Sequence, residues 1–333
     1  MDDKGGYRQI NSAFNACAFD DILGSQMAQL PELPDVEQLT PRVLRILGQN
    51  PGKFTFQGTN TYVIGTGRQR LIIDTGGGEA DWASLINDTL KARGITIARV
   101  LLTHWHGDHT GGVADLIRLY PDLEHHIYKN QPDRGQQNIY HAQTFDVEGA
   151  TVRALHTPGH SEDHMCFILE EEGEPRAMFT GDTILGHGTS TMEDLSSFMD
   201  SLQNITDQQC EVGYSAHGAV IENLPLKMVQ ELRHKTRREA QVLTALASYA
   251  SRGQRSLTTS ELVAEIYGQS LNAETRAFAL EPFIDQVLRK LAGDGKVGFE
   301  VRAGQRKWFI MDMMQGSIRP ARSGSAREIL VAA

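Results

Sequence analysis

A chain of 333 residues, 40% of them hydrophobic, can bury a full core and still carry an appendage. Three scattered cysteines, none in a CxxC pair, exclude a disulfide framework, and no run approaches the roughly 18 apolar residues that span a bilayer. The net charge of −10 is uneven: residues 1–220 hold 15 Lys and Arg against 30 Asp and Glu, the remainder 17 against 12, which argues against a dedicated nucleic-acid binder.

Residues 1–40 read as an irregular N-terminal extension, with a short helix around 19–30 stopped by Pro31 and Pro34. They contain no signal-like apolar segment, so the expectation is a soluble, cytoplasmic protein. Strand patterns follow at 43–47, 61–64 and 70–73, the last two joined by a Gly65-Thr66-Gly67 turn. Apolar spacing predicts a helix over 82–92, then a strand over 98–102, then a helix opened by Thr110, Gly111 and Gly112 and ending near 119. Further strands are predicted at 151–155, 165–169 and 177–180. Helix dominates from 226 to about 250. Thr258 and Glu261 then form a capping-box pattern ahead of a helix over 262–267. A helix at 281–291 and strands at 297–301 and 307–310 complete the outline of a winged-helix module. The expected organisation is an α/β catalytic domain at 41–222, a helical winged-helix-like module at 223–316 and a loosely ordered tail at 317–333.

The chemistry concentrates at the end of the strand over 98–102. His104, His106, Asp108 and His109 stand within six residues, a clustering of imidazole and carboxylate that packing does not explain. Three later segments repeat one pattern, a ligand-type residue in a glycine-containing loop after an apolar strand: His160, Asp182 and His217. Five histidines and two aspartates suffice for two divalent ions. His104, His106 and His160 are assigned to one, Asp108, His109 and His217 to the other, with Asp182 as the bridge. Histidine content favours zinc, and the two carboxylates leave manganese or iron open. Asp108 is expected to accept a proton from the attacking water as well as bind metal. Asp74, on the loop after its own strand, is expected to back a ligand. His164, four residues after His160, is expected to hydrogen-bond a ligand or touch substrate. His125, His126, His141 and His234 read as surface residues, and Trp105 as a core side chain.

With these residues the chain resembles the metallo-β-lactamase superfamily. The superfamily's His-x-His-x-Asp-His motif stands here as His104, His106, Asp108 and His109, and the later ligands match His160, Asp182 and His217. That resemblance covers roughly residues 40–220 and implies an αββα sandwich with the metals at one edge of the packed sheets. A closer resemblance, carried by residues 33–54, Gln57-Gly58-Thr59-Asn60-Thr61-Tyr62 and residues 181–186, is to the discrete thioesterases that serve fungal non-reducing polyketide synthases. It implies hydrolytic or cyclising release of an aromatic polyketide, such as atrochrysone carboxylate, from an acyl carrier protein. The chain departs from the superfamily where Ser215-Ala216-His217-Gly218 replaces the common Pro-Gly-His-Gly. Three other readings compete: a metallo-endoribonuclease, a glyoxalase-II-like hydrolase of small thioesters, and a non-enzymatic docking subunit.

Overall fold

The computed structural model describes residues 30–171, 176–268 and 276–311. Residues 19–29 of the helix expected around 19–30 and the tail from 317 lie outside these residues.

The first sheet runs β1 (Val36–Thr40), β2 (Val43–Leu47), β3 (Asn60–Ile64), β4 (Gln69–Ile73), β5 (Thr96–Leu102), β6 (Ile127–Lys129) and β7 (Gln137–Asn138), in that spatial order. β1 to β4 form an antiparallel meander, and β4 to β7 are parallel. The parallel step from β4 to β5 needs a crossover, and α1 (Ala80–Arg93) supplies it. After β5 come the single turn α2 (Gly107–Thr110) and α3 (Val113–Leu119). The second sheet has the order β12-β11-β10-β9-β8, from β8 (Thr144–Val147), β9 (Ala150–His156), β10 (Met165–Leu169), β11 (Ala177–Gly181) and β12 (Val212–Ser215). Its only parallel pair, β11 with β12, is bridged by α4 (Leu195–Asp207).

Strand alternation makes the layers. In β2 and β3, Val43, Tyr62 and Ile64 face Phe145, Val152, Met165, Phe167 and Phe179 across the inter-sheet core. Their neighbours Leu44, Ile46 and Val63 face outward onto Trp82, Ile86 and Leu90 of α1. On the second sheet Cys166, Ile168 and Met178 face Phe198, Leu202 and Ile205 of α4. Both faces of each sheet are therefore covered, which is why β2, β3, β10 and β11 are buried at every position; β10 reads as a continuous apolar run, while β2, β3 and β11 also bury Arg45, Asn60, Thr61 and Thr180. Each fully buried aliphatic or aromatic side chain contributes about 1.5–3 kcal/mol. The result is an αββα sandwich.

Residues 36–40, expected to be irregular, form the edge strand β1; its Val-Glu-Gln-Leu-Thr composition is too polar to advertise a strand. Helix α4 was not expected either, although Leu195, Phe198, Leu202 and Ile205 stand at helical spacing and Asp194 caps it by accepting from the Ser197 N–H at 2.7 Å. Beyond the sandwich runs the long helix α5 (Leu224–Ser251), and the chain divides within it into two compact units, at Leu232/Arg233. The second unit contains α6 (Thr259–Tyr267), a π turn at Arg276–Leu280, α7 (Glu281–Gly293) and the hairpin of β13 (Val297–Arg302) and β14 (Gln305–Ile310). Thr258 and Glu261 make the reciprocal capping box that the sequence predicts. Leu262, Val287, Leu288 and Trp308 are buried within that unit. No helix among the described residues is long and apolar enough to cross a membrane.

Candidate metal centre

The centre is assembled by loops at the carboxyl ends of β4, β5, β9, β11 and β12. β5 delivers Thr103 and His104, and the chain then turns sharply through α2, so that His106, Asp108 and His109 face the same volume as His104. Glycine at 111 and 112 lets this turn press against the β4–α1 loop. A Cβ at Gly111 would stand 2.3 Å from the Gly77 carbonyl oxygen, and one at Gly112 2.1 Å from that of Thr75.

Two groups of side chains meet there. In the first, His104 Nε2 lies 2.8 Å from His106 Nδ1, and His160 Nε2 lies 3.2 and 3.1 Å from those two atoms. In the second, His217 Nε2 is 3.3 Å from Asp108 Oδ2, and His109 Nε2 is 3.4 Å from the same oxygen. Asp182 stands between them. Its Oδ1 is 3.1 Å from His217 Nε2 and 3.5 Å from His109 Nε2, while Oδ2 is 3.5 Å from His160 Nε2.

Burial pushes His104 and His160 below the usual imidazole range and His106 down to about 3; crowding by His109 and His106 adds to the fall at His104, and by His160 at His106. Burial acts the same way on His109 and His217. There the carboxylates of Asp108 and Asp182 outweigh it, raising His109 well above its ordinary value and His217 to about 9. Burial would raise Asp108 and Asp182, but these two imidazoles hold both carboxyls well below the usual range.

This donor set fits cations. His109 Nε2, His217 Nε2 and Asp182 Oδ1 are buried, meet one another only at 3.1–3.5 Å without a well-formed hydrogen bond, and converge. The nitrogens of the first group are separated by roughly what two ligands of one tetrahedral ion show, about 3.3 Å. Outward-facing ring nitrogens are already engaged: His160 Nδ1 donates to the Thr191 carbonyl at 2.9 Å, His109 Nδ1 to Asp74 Oδ2 at 2.8 Å, and His104 Nδ1 lies 2.9 Å from Thr103 Oγ. Such contacts fix the tautomer that presents the other nitrogen inward.

The profile of the Metallo-beta-lactamase superfamily matches residues 54–217. The chain is 66% identical over 310 residues to an atrochrysone carboxyl ACP thioesterase of Claviceps purpurea, covering 93% of this chain and 99% of that one. It is 62% identical over 330 residues to a protein of the same description from Pseudocercospora fijiensis, covering 99% and 98%. Among solved structures it is similar to a beta-lactamase domain protein from Burkholderia ambifaria, with a TM-score of 0.66 and 16% identity over 85% of this chain and 97% of that one. The chain belongs to the metallo-β-lactamase superfamily, in the family of the atrochrysone carboxyl ACP thioesterases. The His/Asp cluster of this superfamily member has the make-up of a divalent metal site.

All seven side chains picked out as ligands in the sequence come together. Asp74 is fully buried behind His109, and its carboxylate also accepts from the Thr103 N–H at 2.8 Å and Thr103 Oγ at 2.9 Å. His164 is fully buried and turned away from solvent. Its Nε2 accepts the Asp182 backbone N–H at 3.0 Å, and Nδ1 lies 2.9 Å from Thr157 Oγ. Trp105 corrects its expectation: it is half-buried, lies outside the core clusters and meets the His106 ring edge-on at 4.5 Å, because the chain turns into α2 instead of staying extended.

Several contributors were missed in the sequence. Asn60 Nδ2 donates to the carbonyls of Ser215 and Gly218 at 2.9 and 2.8 Å, and so fixes the His217 loop. Ser215, where relatives of the superfamily carry proline, accepts from the Gly186 N–H and donates to the His217 carbonyl, both at 2.9 Å. Ser190 Oγ lies 3.1 Å from His160 Nδ1. None of these carries a local pattern; only the fold brings them to the centre.

Proposed function

We propose that this chain is a metal-dependent thioesterase that releases an aromatic polyketide from the acyl carrier protein of a non-reducing polyketide synthase. The observation that carries the reading is near full-length identity of 66% to a protein described as an atrochrysone carboxyl ACP thioesterase, in a chain whose buried His/Asp cluster fits cations. His104, His106 and His160 would hold one ion, Asp108, His109 and His217 a second, and Asp182 would bridge them. Zinc suits this histidine-rich set. When bound, two such ions supply Lewis acidity toward the thioester carbonyl and bring the pKa of a water to about 7.

The chain's own residues supply the rest. Asp108, the more accessible of the two carboxylates by a small margin, accepts the proton of the attacking water. Asp74 and the Thr191 carbonyl hold His109 and His160 in their ligating tautomers. His164 fixes the backbone at Asp182, and Asn60 and Ser215 fix the loop of His217. A leaving thiol with a pKa of about 8.5, by analogy with cysteine, departs as thiolate without a strong general acid.

The test is incubation of purified protein with a polyketide-loaded carrier protein, with and without chelator, followed by mass analysis of carrier and product. Release that needs metal and fails in Asp182→Ala supports the reading. Intact carrier thioester, or turnover of glutathione thioesters in its place, overturns it. So does metal-dependent RNA cleavage with steep salt dependence.

A further inference from the structure

The loop from β9 to β10 carries both His160 and His164. Between them sits Asp163, only 2% exposed, and its Oδ2 accepts from Lys129 Nζ at 3.1 Å. Lys129, equally buried, is the last residue of β6 in the opposite sheet. Its ammonium also donates to the carbonyls of Asn130 and Gln131 at 3.2 and 2.6 Å. The other oxygen of Asp163 accepts from the fully buried Ser161 hydroxyl at 2.7 Å. Every strong donor and acceptor of this small network is thus engaged.

Stability does not account for it. Desolvating both charges is expensive, and an apolar pair of similar size would serve a core at least as well. What an ion pair gives that leucine and methionine do not is a fixed direction and distance. This one joins the two sheets beside the metal centre. The backbone bond from the Met165 N–H to the Thr103 carbonyl, 2.8 Å, ties the chain just past the loop to the end of β5, while the Lys129–Asp163 pair ties the residue before His164 to β6. His164 extends the effect, because its Nε2 accepts the Asp182 N–H at 3.0 Å. The packing there leaves no slack: a Cβ at Gly181 would meet His164 Nε2 at 2.5 Å.

We propose that Lys129 and Asp163 are positioning residues, a cross-sheet latch that sets His160 and, through His164, the carboxylate of Asp182. The latch rests on the reading of His160 and Asp182 as metal ligands, and it acts on the first ligand group more than on the second.

The experiment uses Lys129→Met/Asp163→Leu, which removes both charges together, and Ser161→Ala, which only loosens Asp163. Imidazole ¹H–¹⁵N spectra of the metal-free proteins are expected to show His160 and His164 shifted or broadened and His109 unchanged. Zinc titration in calibrated buffers is expected to show one equivalent bound at least tenfold more weakly and the other weakened less. A purely structural pair would lower the Tm and leave both readouts as in the parent. Unchanged His160 and His164 signals in the double variant overturn the latch; if that variant does not fold, unchanged signals in Ser161→Ala do the same. A parent protein that takes up no zinc overturns the metal reading, and the imidazole spectra then decide the latch on their own.

Discussion

The two ligand groups sit side by side yet differ in charge. His104, His106 and His160 are held neutral by burial and by neighbouring imidazoles, while His109 and His217 face Asp108 and Asp182 and are held protonated. The first group offers lone pairs ready for a cation. The second offers a comparable number of donor atoms, but protons occupy the cation's place until one arrives. Similar ligand counts therefore do not imply similar binding, and the difference follows from where two carboxylates were placed.

The largest expected effect comes from removing what the groups share. Asp182→Ala deprives both of a carboxylate oxygen, and turnover of a carrier-bound thioester is expected to fall by at least about 10³-fold, equivalent to about 4 kcal/mol of transition-state stabilisation. Metal analysis of the dialysed variant should show loss from both groups. Full activity in a metal-depleted variant would break the comparison at its root. Next is Asp74→Asn, which keeps the size of the residue behind His109 but weakens its hold on the ring. Loss of such a supporting contact costs about 10–100-fold in metal affinity. Competition with a chelator should place that loss on one equivalent only.

Acidity separates the groups more finely. With a pKa of about 9, His217 is protonated at pH 7, and a metal must displace that proton. Affinity of the second group should therefore rise as pH increases from 7 toward 9, by up to about tenfold per unit for one displaced proton. His106, near 3, is already deprotonated, so the first group should be nearly flat over the same window. The same sign governs the metal-free fold. The raised pKa of His217 contributes stability that is present below its ordinary value of 6.5 and is lost as pH climbs through about 9. Zinc titrations at pH 7 and 8 with equal slopes for both equivalents would remove the distinction.

Sequence alone made the ligands legible for a physical reason. Four of the seven side chains proposed as ligands lie within six residues, and the other three each follow a strand in a glycine-containing loop, so linear spacing carried the information that they would cluster. The fully covered strands were legible too, since burial on both faces leaves mostly apolar runs, uninterrupted in β10. The supporting polar residues were not. Lys129, Asn60, Ser190 and Ser215 acquire their roles from partners 29 or more residues away. In the linear chain each is an ordinary polar residue. The edge strand β1 escaped because half its residues are polar, and α4 because its apolar stripe is interleaved with Ser, Asp, Gln and Asn.

The smallest effect lies far along the chain and serves as the baseline for the rest. Thr258 accepts from the Glu261 N–H at 3.1 Å, and the Glu261 carboxylate accepts from the Thr258 N–H at 2.7 Å. That backbone bond leads in holding the Glu261 carboxyl below its usual range, so the contribution is present above about 4.5 and is lost as pH falls further. Thr258→Ala leaves one helix N–H unsatisfied, at a cost of about 1 kcal/mol. The loss should be read by chemical denaturation at pH 7, following the unit beyond residue 232. It should shrink as the pH falls further below 4.5 and the carboxylate that completes the box takes up its proton. Zinc stoichiometry and its pH dependence should match the parent protein. A shift in either would mean that the cap influences the centre, and that the second unit is more than an appendage to the sandwich.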